Sequence, residues 1–235
     1  MRSDDRANLA QRLIRRSGCR QWSGHRHAGW RIVLLGIAAS LTMAATTTET
    51  IAPLAAVGRL DYAGFEDEYH CTATLIAPHV AITAAHCMET PATIANTYFQ
   101  PGFEIDRGRE RLGLSAWHTQ TGGSDIALLC LTPAARTPPM PRAKAGPKPG
   151  EGLTIVGYGI PAERGQRHDS CTVDAVSDDG SFVLNCPLRP GQSGAPVLRH
   201  TEHGREIVGV ASATSNRQSL AWTIPGTGSL PACPN

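Results

Sequence analysis

Residues 71–87 read CTATLIAPHVAITAAHC. Two short apolar runs, 72–76 and 80–83, flank Pro78, which cannot donate to a strand ladder and favours a turn, so the stretch predicts two neighbouring strands. A single turn of helix is expected over 84–88, which places His86 and Cys87 just beyond the second strand. Working outward, similar short runs recur at 54–57, 126–131, 153–158, 182–184 and 207–213, separated by Gly, Pro or charged residues. Another helical turn is expected at 92–95. Aromatic residues make up only 5% of the 235 residues, while the chain holds 24 Gly and 17 Pro. That balance favours many short strands joined by turns, and the fold class expected is all-β.

Between Thr132 and Gly150 the chain reads TPAARTPPMPRAKAGPKPG, with six prolines and no apolar period. Proline makes such a segment stiff and extended, suited to joining two separately packed halves. The expected organisation is therefore a first half over 56–132, a Pro-rich linker over 133–150 crossing the outside, and a second half with its tail over 151–235.

Charge divides the chain again. Residues 1–31 hold eight of the 22 Lys and Arg but only two of the 20 acidic residues, a local charge of +6 that leaves −4 for the remainder. The mildly acidic remainder makes nucleic acid an unexpected partner. The apolar run 32–45, IVLLGIAASLTMAA, is 14 residues long, short of the roughly 20 that a membrane-spanning helix needs. A basic flank, a short apolar core and the small residues Ala44 and Ala45 describe a secretory signal peptide, so 1–45 is read as a signal or N-terminal anchor and 46–55 as a short propeptide. Without that signal no membrane association is expected. Cys19 would leave with it. The six remaining cysteines suit disulfides outside the reducing cytosol, with 15 possible connectivities and no metal-binding spacing among them. No metal and no cofactor is expected.

Three segments carry residues suited to nucleophilic catalysis: ITAAHC (82–87), SDIALL (124–129) and PGQSGAP (190–196). Cleaving an amide at neutral pH requires an activated nucleophile, a base, a group that orients the base, and donors for the oxyanion. In their order and context these segments resemble the TAAHC, DIALL and GDSGGP motifs of the chymotrypsin-like serine peptidases, and the resemblance spans about residues 56–225. The nearest likeness is to the bacterial glutamyl endopeptidase-like and related trypsin-like peptidases. The resemblance implies two antiparallel six-stranded β-barrels with the active site in the cleft between them. It implies a secreted, monomeric serine endopeptidase acting on protein or peptide substrates. It assigns His86, Asp125 and Ser193 to the catalytic triad, and the backbone N–H groups of Gly191 and Ser193 to the oxyanion hole. It also implies a Cys71–Cys87 disulfide. Cys171 and Cys186 then pair by proximity across neighbouring strands, and Cys130 and Cys233 by elimination, the last bridge standing in for a C-terminal helix that the Gly- and Pro-rich tail cannot form.

Two departures from the pattern bear on mechanism. Gln192 stands where the pancreatic-type enzymes have an aspartate that pairs with a newly cut N-terminus, and an amide cannot form that ion pair. Pro187, six residues before Ser193, stands where a trypsin has its aspartate, so cleavage after Lys or Arg is not expected. Ser212, Ala213 and Thr214 match the strand that lines the substrate pocket, with Thr214 narrowing it. That strand lacks the histidine used to select Glu, which leaves a small or medium apolar residue as the expected preference. The same residues admit a catalytically silent binding protein on this scaffold, or a peptidase tethered through 32–45.

Overall fold

Short strands, with few residues spare for helices, set the architecture. The computed structural model describes residues 54–64, 69–89, 92–104, 110–120, 122–160, 165–224 and 233. The expected signal, most of the propeptide, and the tail apart from Cys233 lie outside the described residues. No helix among the described residues is long and apolar enough to cross a membrane.

Six strands form the first closed barrel: β1 (Val57–Tyr62), β2 (His70–Ala77), β3 (Val80–Thr83), β4 (Thr97–Pro101), β5 (Leu112–Thr119) and β6 (Ala127–Thr132). They run in the order β1-β2-β3-β6-β5-β4. The second closed barrel takes β7 (Gly152–Gly157), β8 (Arg167–Val176), β9 (Ser181–Leu184), β10 (Pro196–Thr201), β11 (Gly204–Thr214) and β12 (Ser219–Thr223), in the order β10-β11-β12-β9-β8-β7. All pairings within both barrels are antiparallel. The protein is thus all-β with two six-stranded barrels, as expected.

The first barrel fills with Leu60, Tyr62, Leu75, Ile82, Phe99 and Leu129; the second with Leu153, Ile155, Val173, Phe182, Leu184 and Val197. Strand β2 is buried on both faces. Side chains along a strand alternate between faces, so Cys71, Ala73 and Leu75 share one while His70, Thr72 and Thr74 share the other. The second face is polar and meets the other barrel. Strand β1 repeats the device: its buried Arg59 and Asp61 form an ion pair, Gln100 of β4 donates to Asp61 at 2.8 Å, and the Arg59 guanidinium lies 4.6 Å from the Phe103 ring centre. Pairing and additional donors compensate the cost of burying these charges.

The proline-rich stretch is laid across both barrels. Met140, buried in the first core, donates its N–H to Leu75 O of β2 at 2.9 Å; Ile207 N–H of β11 donates to Pro141 O at 2.9 Å, and Ala143 N–H returns a bond to Ile207 O at 2.8 Å. Disulfides join Cys71 to Cys87, Cys130 to Cys233 and Cys171 to Cys186. The second ties the tail to β6, where Cys233 packs against the first core.

Several local expectations differ from what forms. The run expected at 54–57 becomes a strand only from Val57 and runs on to Tyr62, a continuation that the charges of Arg59 and Asp61 hide in the sequence. Strands β4, β5, β8, β10 and β12 match none of the expected apolar runs. β8 shows why: only Cys171 and Val173 of its ten residues are buried, so its sequence carries no apolar run. A short 3-10 turn does form at Ala85–Met88, whereas 94–96 form a turn and not a helix.

Candidate active site

Register brings the first two chemical groups together. The end of β3 pairs with the start of β6, Thr83 opposite Ala127, so His86 and Asp125 emerge at the same end of the barrel. His86 Nδ1 lies 2.6 Å from Asp125 Oδ2, and the backbone N–H of His86 donates to Asp125 Oδ1 at 2.9 Å. Ser212, from β11 of the second barrel, donates its hydroxyl to Asp125 Oδ2 at 2.5 Å. The carboxylate thus accepts three donors. Burial pushes the Asp125 carboxyl upward, but the hydrogen bonds from His86 and Ser212 outweigh it and hold the group at about 2. In return the hydrogen bond to Asp125 raises the His86 imidazole above its ordinary value of 6.5, against the opposing effect of burial. With Nδ1 donating to a carboxylate, Nε2 of the neutral ring is left as the acceptor.

Ser193 reaches this corner through Thr72. The Thr72 N–H donates to Ser193 O at 2.8 Å, its Oγ1 donates to Gly191 O at 2.9 Å, and the same oxygen accepts the Tyr158 N–H at 3.1 Å. One β2 residue therefore fastens the serine loop to the first barrel by both its backbone and its side chain. Gly194 (φ +82°) sits so close that an added Cβ would run into Thr83 Oγ1 and Thr72 O, and would come 2.9 Å from Ala84 N, two residues before His86. Gly191 has φ +90°, and a Cβ there would meet His70 Nε2 and Tyr158 O at 2.6 Å each. Both positions require glycine on conformation and on space. Among the described residues, the N–H groups of Gly191 and Ser193 donate to no protein acceptor.

His70 packs against this loop and is 3% exposed. Desolvation, helped by the charge of Arg59, pushes its imidazole down from 6.5 to about 4; Asp61, its cross-strand partner, is already paired with Arg59. The unfolded chain therefore takes up a proton near pH 6.5 that the folded chain refuses until about pH 4. The contribution of a neutral His70 is complete above pH 6.5 and shrinks as pH falls across that window, by about 3 kcal/mol in all. Denaturant titrations of wild type and His70→Gln at pH 7 and pH 4 should differ in their acid loss of stability by about this amount. Equal losses in the two proteins would exclude His70 as the cause.

The expected pocket residues divide. A cavity of about 240 Å³ is lined by Val183, Ala213, Thr214, Ser215, Gln218, Ser219 and Leu220. Ala213 and Thr214 belong to it. Ser212, whose hydroxyl donates to Asp125, and Pro187, which is exposed, are not among its lining residues. Thr214 Oγ1 accepts the Leu188 N–H at 2.9 Å, which fastens the pocket strand to the segment preceding Ser193. None of the lining side chains is ionisable. The one close His, Cys, Asp and Glu cluster among the described residues, Cys71 with His86 and Cys87, has both sulfurs in a disulfide and therefore no thiolate to offer a metal. Thr72, His70 and the role of Ser212 were not legible as site features, because polar residues alternating with apolar ones over 70–75 read as the solvent face of a one-sided strand.

Residues 71–210 match the family described as trypsin-like peptidase domain. A trypsin of Saccharopolyspora erythraea is 31% identical over 177 residues, covering 63% of this chain and 76% of that protein. Among solved structures, a Glu endopeptidase in complex with MPD superposes with a TM-score of 0.60 at 19% identity, over 73% of this chain and 86% of its own. An inactivated protease paralogue of the scabies mite gives 0.58 at 15% identity, over 72% and 86% respectively. These two structures are similar in fold.

Proposed function

The chain belongs to the trypsin-like peptidase family, and from that premise we propose that it is a secreted serine endopeptidase working through His86, Asp125 and Ser193. The observation that carries this reading is the three-donor Asp125 carboxylate that orients His86, on a corner to which Thr72 ties the Ser193 loop.

Ser193 Oγ attacks the scissile carbonyl carbon while His86 Nε2 takes its proton, and a C–O bond forms as the carbonyl becomes an oxyanion. The N–H groups of Gly191 and Ser193 receive that charge, each worth about 3 kcal/mol of transition-state stabilisation. His86 returns the proton to the leaving nitrogen as the C–N bond breaks. Water then attacks the acyl-enzyme with His86 again as base, releasing the acid and regenerating Ser193. Asp125 holds the imidazole with Nε2 free and stabilises its charged form.

None of the side chains lining the pocket beside Ala213 and Thr214 carries a charge that would pair with Lys, Arg or Glu. An uncharged residue of small or medium size is the preferred occupant. Three disulfides suit an oxidising compartment, in line with export through the 1–45 segment. A catalytically silent scaffold would be expected to lack one of the three side chains, and here all are present.

Digestion of a peptide library by the purified protein, with cleavage sites read by mass spectrometry, tests the assignment. Cuts following small uncharged residues are expected, and kcat/KM should fall as pH drops through a midpoint above 6.5, where His86 gains its proton and ceases to be a base. Cleavage after basic or acidic residues would refute the pocket assignment, and a kcat/KM with no acid limb in the histidine range would refute His86 as the base.

A further inference from the structure

Gln192 is fully buried beside the serine, and its amide is held at both ends. Its Oε1 accepts the Arg189 N–H at 2.7 Å, and its own N–H donates to Arg189 O at 3.0 Å, so side chain and backbone together close the turn that contains Gly191. Its Nε2 donates to Asp169 Oδ2 at 2.8 Å. Asp169 lies on β8, paired with Ile155 of β7, and Arg167 of the same strand grips it twice, Nε to Oδ2 at 2.9 Å and Nη2 to Oδ1 at 2.8 Å. A two-pronged guanidinium contact fixes a carboxylate in orientation as well as in charge.

Resting on the peptidase reading above, we infer that Asp169 and Arg167 are positioning residues which hold the Gly191–Ser193 turn in working shape through Gln192, so that activity needs no ion pair from a newly cut N-terminus. The donor and acceptor roles are reversed relative to an enzyme with aspartate at this place: the loop supplies the donor and the barrel wall supplies the carboxylate. Every member of the chain of contacts is internal to the second barrel.

The test is a double-mutant cycle of Gln192→Glu and Asp169→Asn, assayed near pH 9 so that the new carboxyl is ionised. Gln192→Glu alone sets two carboxylates face to face, and kcat should fall roughly 100-fold with KM little changed. Adding Asp169→Asn supplies an amide donor to the introduced carboxylate and should bring kcat back to within roughly tenfold of wild type. Hydrogen exchange of the 189–195 amides should follow the same order, fast in Gln192→Glu and protected again in the double variant. The full chain and its N-terminally processed form should turn over one peptide equally. The inference is overturned if the two substitutions act additively on kcat and on exchange, or if processing raises kcat tenfold or more. A wild type that turns over nothing would count against the peptidase reading, and the exchange cycle would still decide the positioning of the loop.

Discussion

Replacing Ser193 with alanine should lower kcat by roughly 10⁶ while leaving the fold intact. The loop is anchored by groups that survive the substitution: Ser193 O still accepts from Thr72 N–H, Gly191 O from Thr72 Oγ1, and Gly194 N–H still donates to Ala211 O at 2.8 Å. What disappears is the oxygen that forms the acyl-enzyme. The remaining turnover, roughly 10³ to 10⁴ above the uncatalysed rate, would come from the oxyanion donors and from substrate binding, so KM should change little. A second substitution at His86 should then cost almost nothing more, because a base without its nucleophile has no proton to take. Steady-state kinetics on a peptide taken from the library digestion, beside thermal unfolding of both variants, measures this. Large additive losses would mean that the two side chains do not act as one unit.

Changing Asp125 to asparagine should lower kcat roughly 10⁴-fold, again in a folded protein. Asp125 now accepts from the His86 N–H, from His86 Nδ1 and from the Ser212 hydroxyl. An amide of the same shape has one acceptor oxygen and two N–H donors in place of two acceptor oxygens. If its oxygen keeps the backbone N–H of His86, its nitrogen faces Nδ1 and Ser212, and the imidazole is driven to the tautomer with its proton on Nε2. That tautomer cannot accept the proton of Ser193. Because the fault is protonation and not geometry, activity should recover at alkaline pH only so far as another base can substitute, and the acid limb tied to His86 should shift. An Asp125→Asn variant with undiminished kcat would show that Asp125 does not orient the base.

Legibility from sequence was greatest where chemistry demands a local cluster. The histidine and aspartate motifs each end or begin a strand, and the register of β3 on β6 brings them together without any long loop. The two-barrel division was legible from the proline-rich stretch, since stiff chain without apolar period seldom belongs to a core. What sequence did not reveal is polar burial. Thr72, His70, Arg59 and Asp61 look like the solvent side of alternating strands, yet Thr72 and His70 meet the second barrel and Arg59 and Asp61 are buried as an ion pair. Long-range polar pairs are equally silent: nothing near Gln192 announces Asp169, 23 residues earlier. Beside the pocket, the Leu188 N–H meets Thr214 Oγ1, a tie between two segments that neither one's sequence announces.

The central claim is that Ser193 is an activated nucleophile, and covalent labelling by a fluorophosphonate probe tests it most directly. The phosphorus should form one bond to Ser193 Oγ with loss of fluoride, the adduct should map by mass spectrometry to the peptide containing Gly191 to Gly194, and Ser193→Ala should remain unlabelled. A folded, disulfide-bonded protein that takes up no probe, or takes it up equally with alanine at 193, would contradict the account.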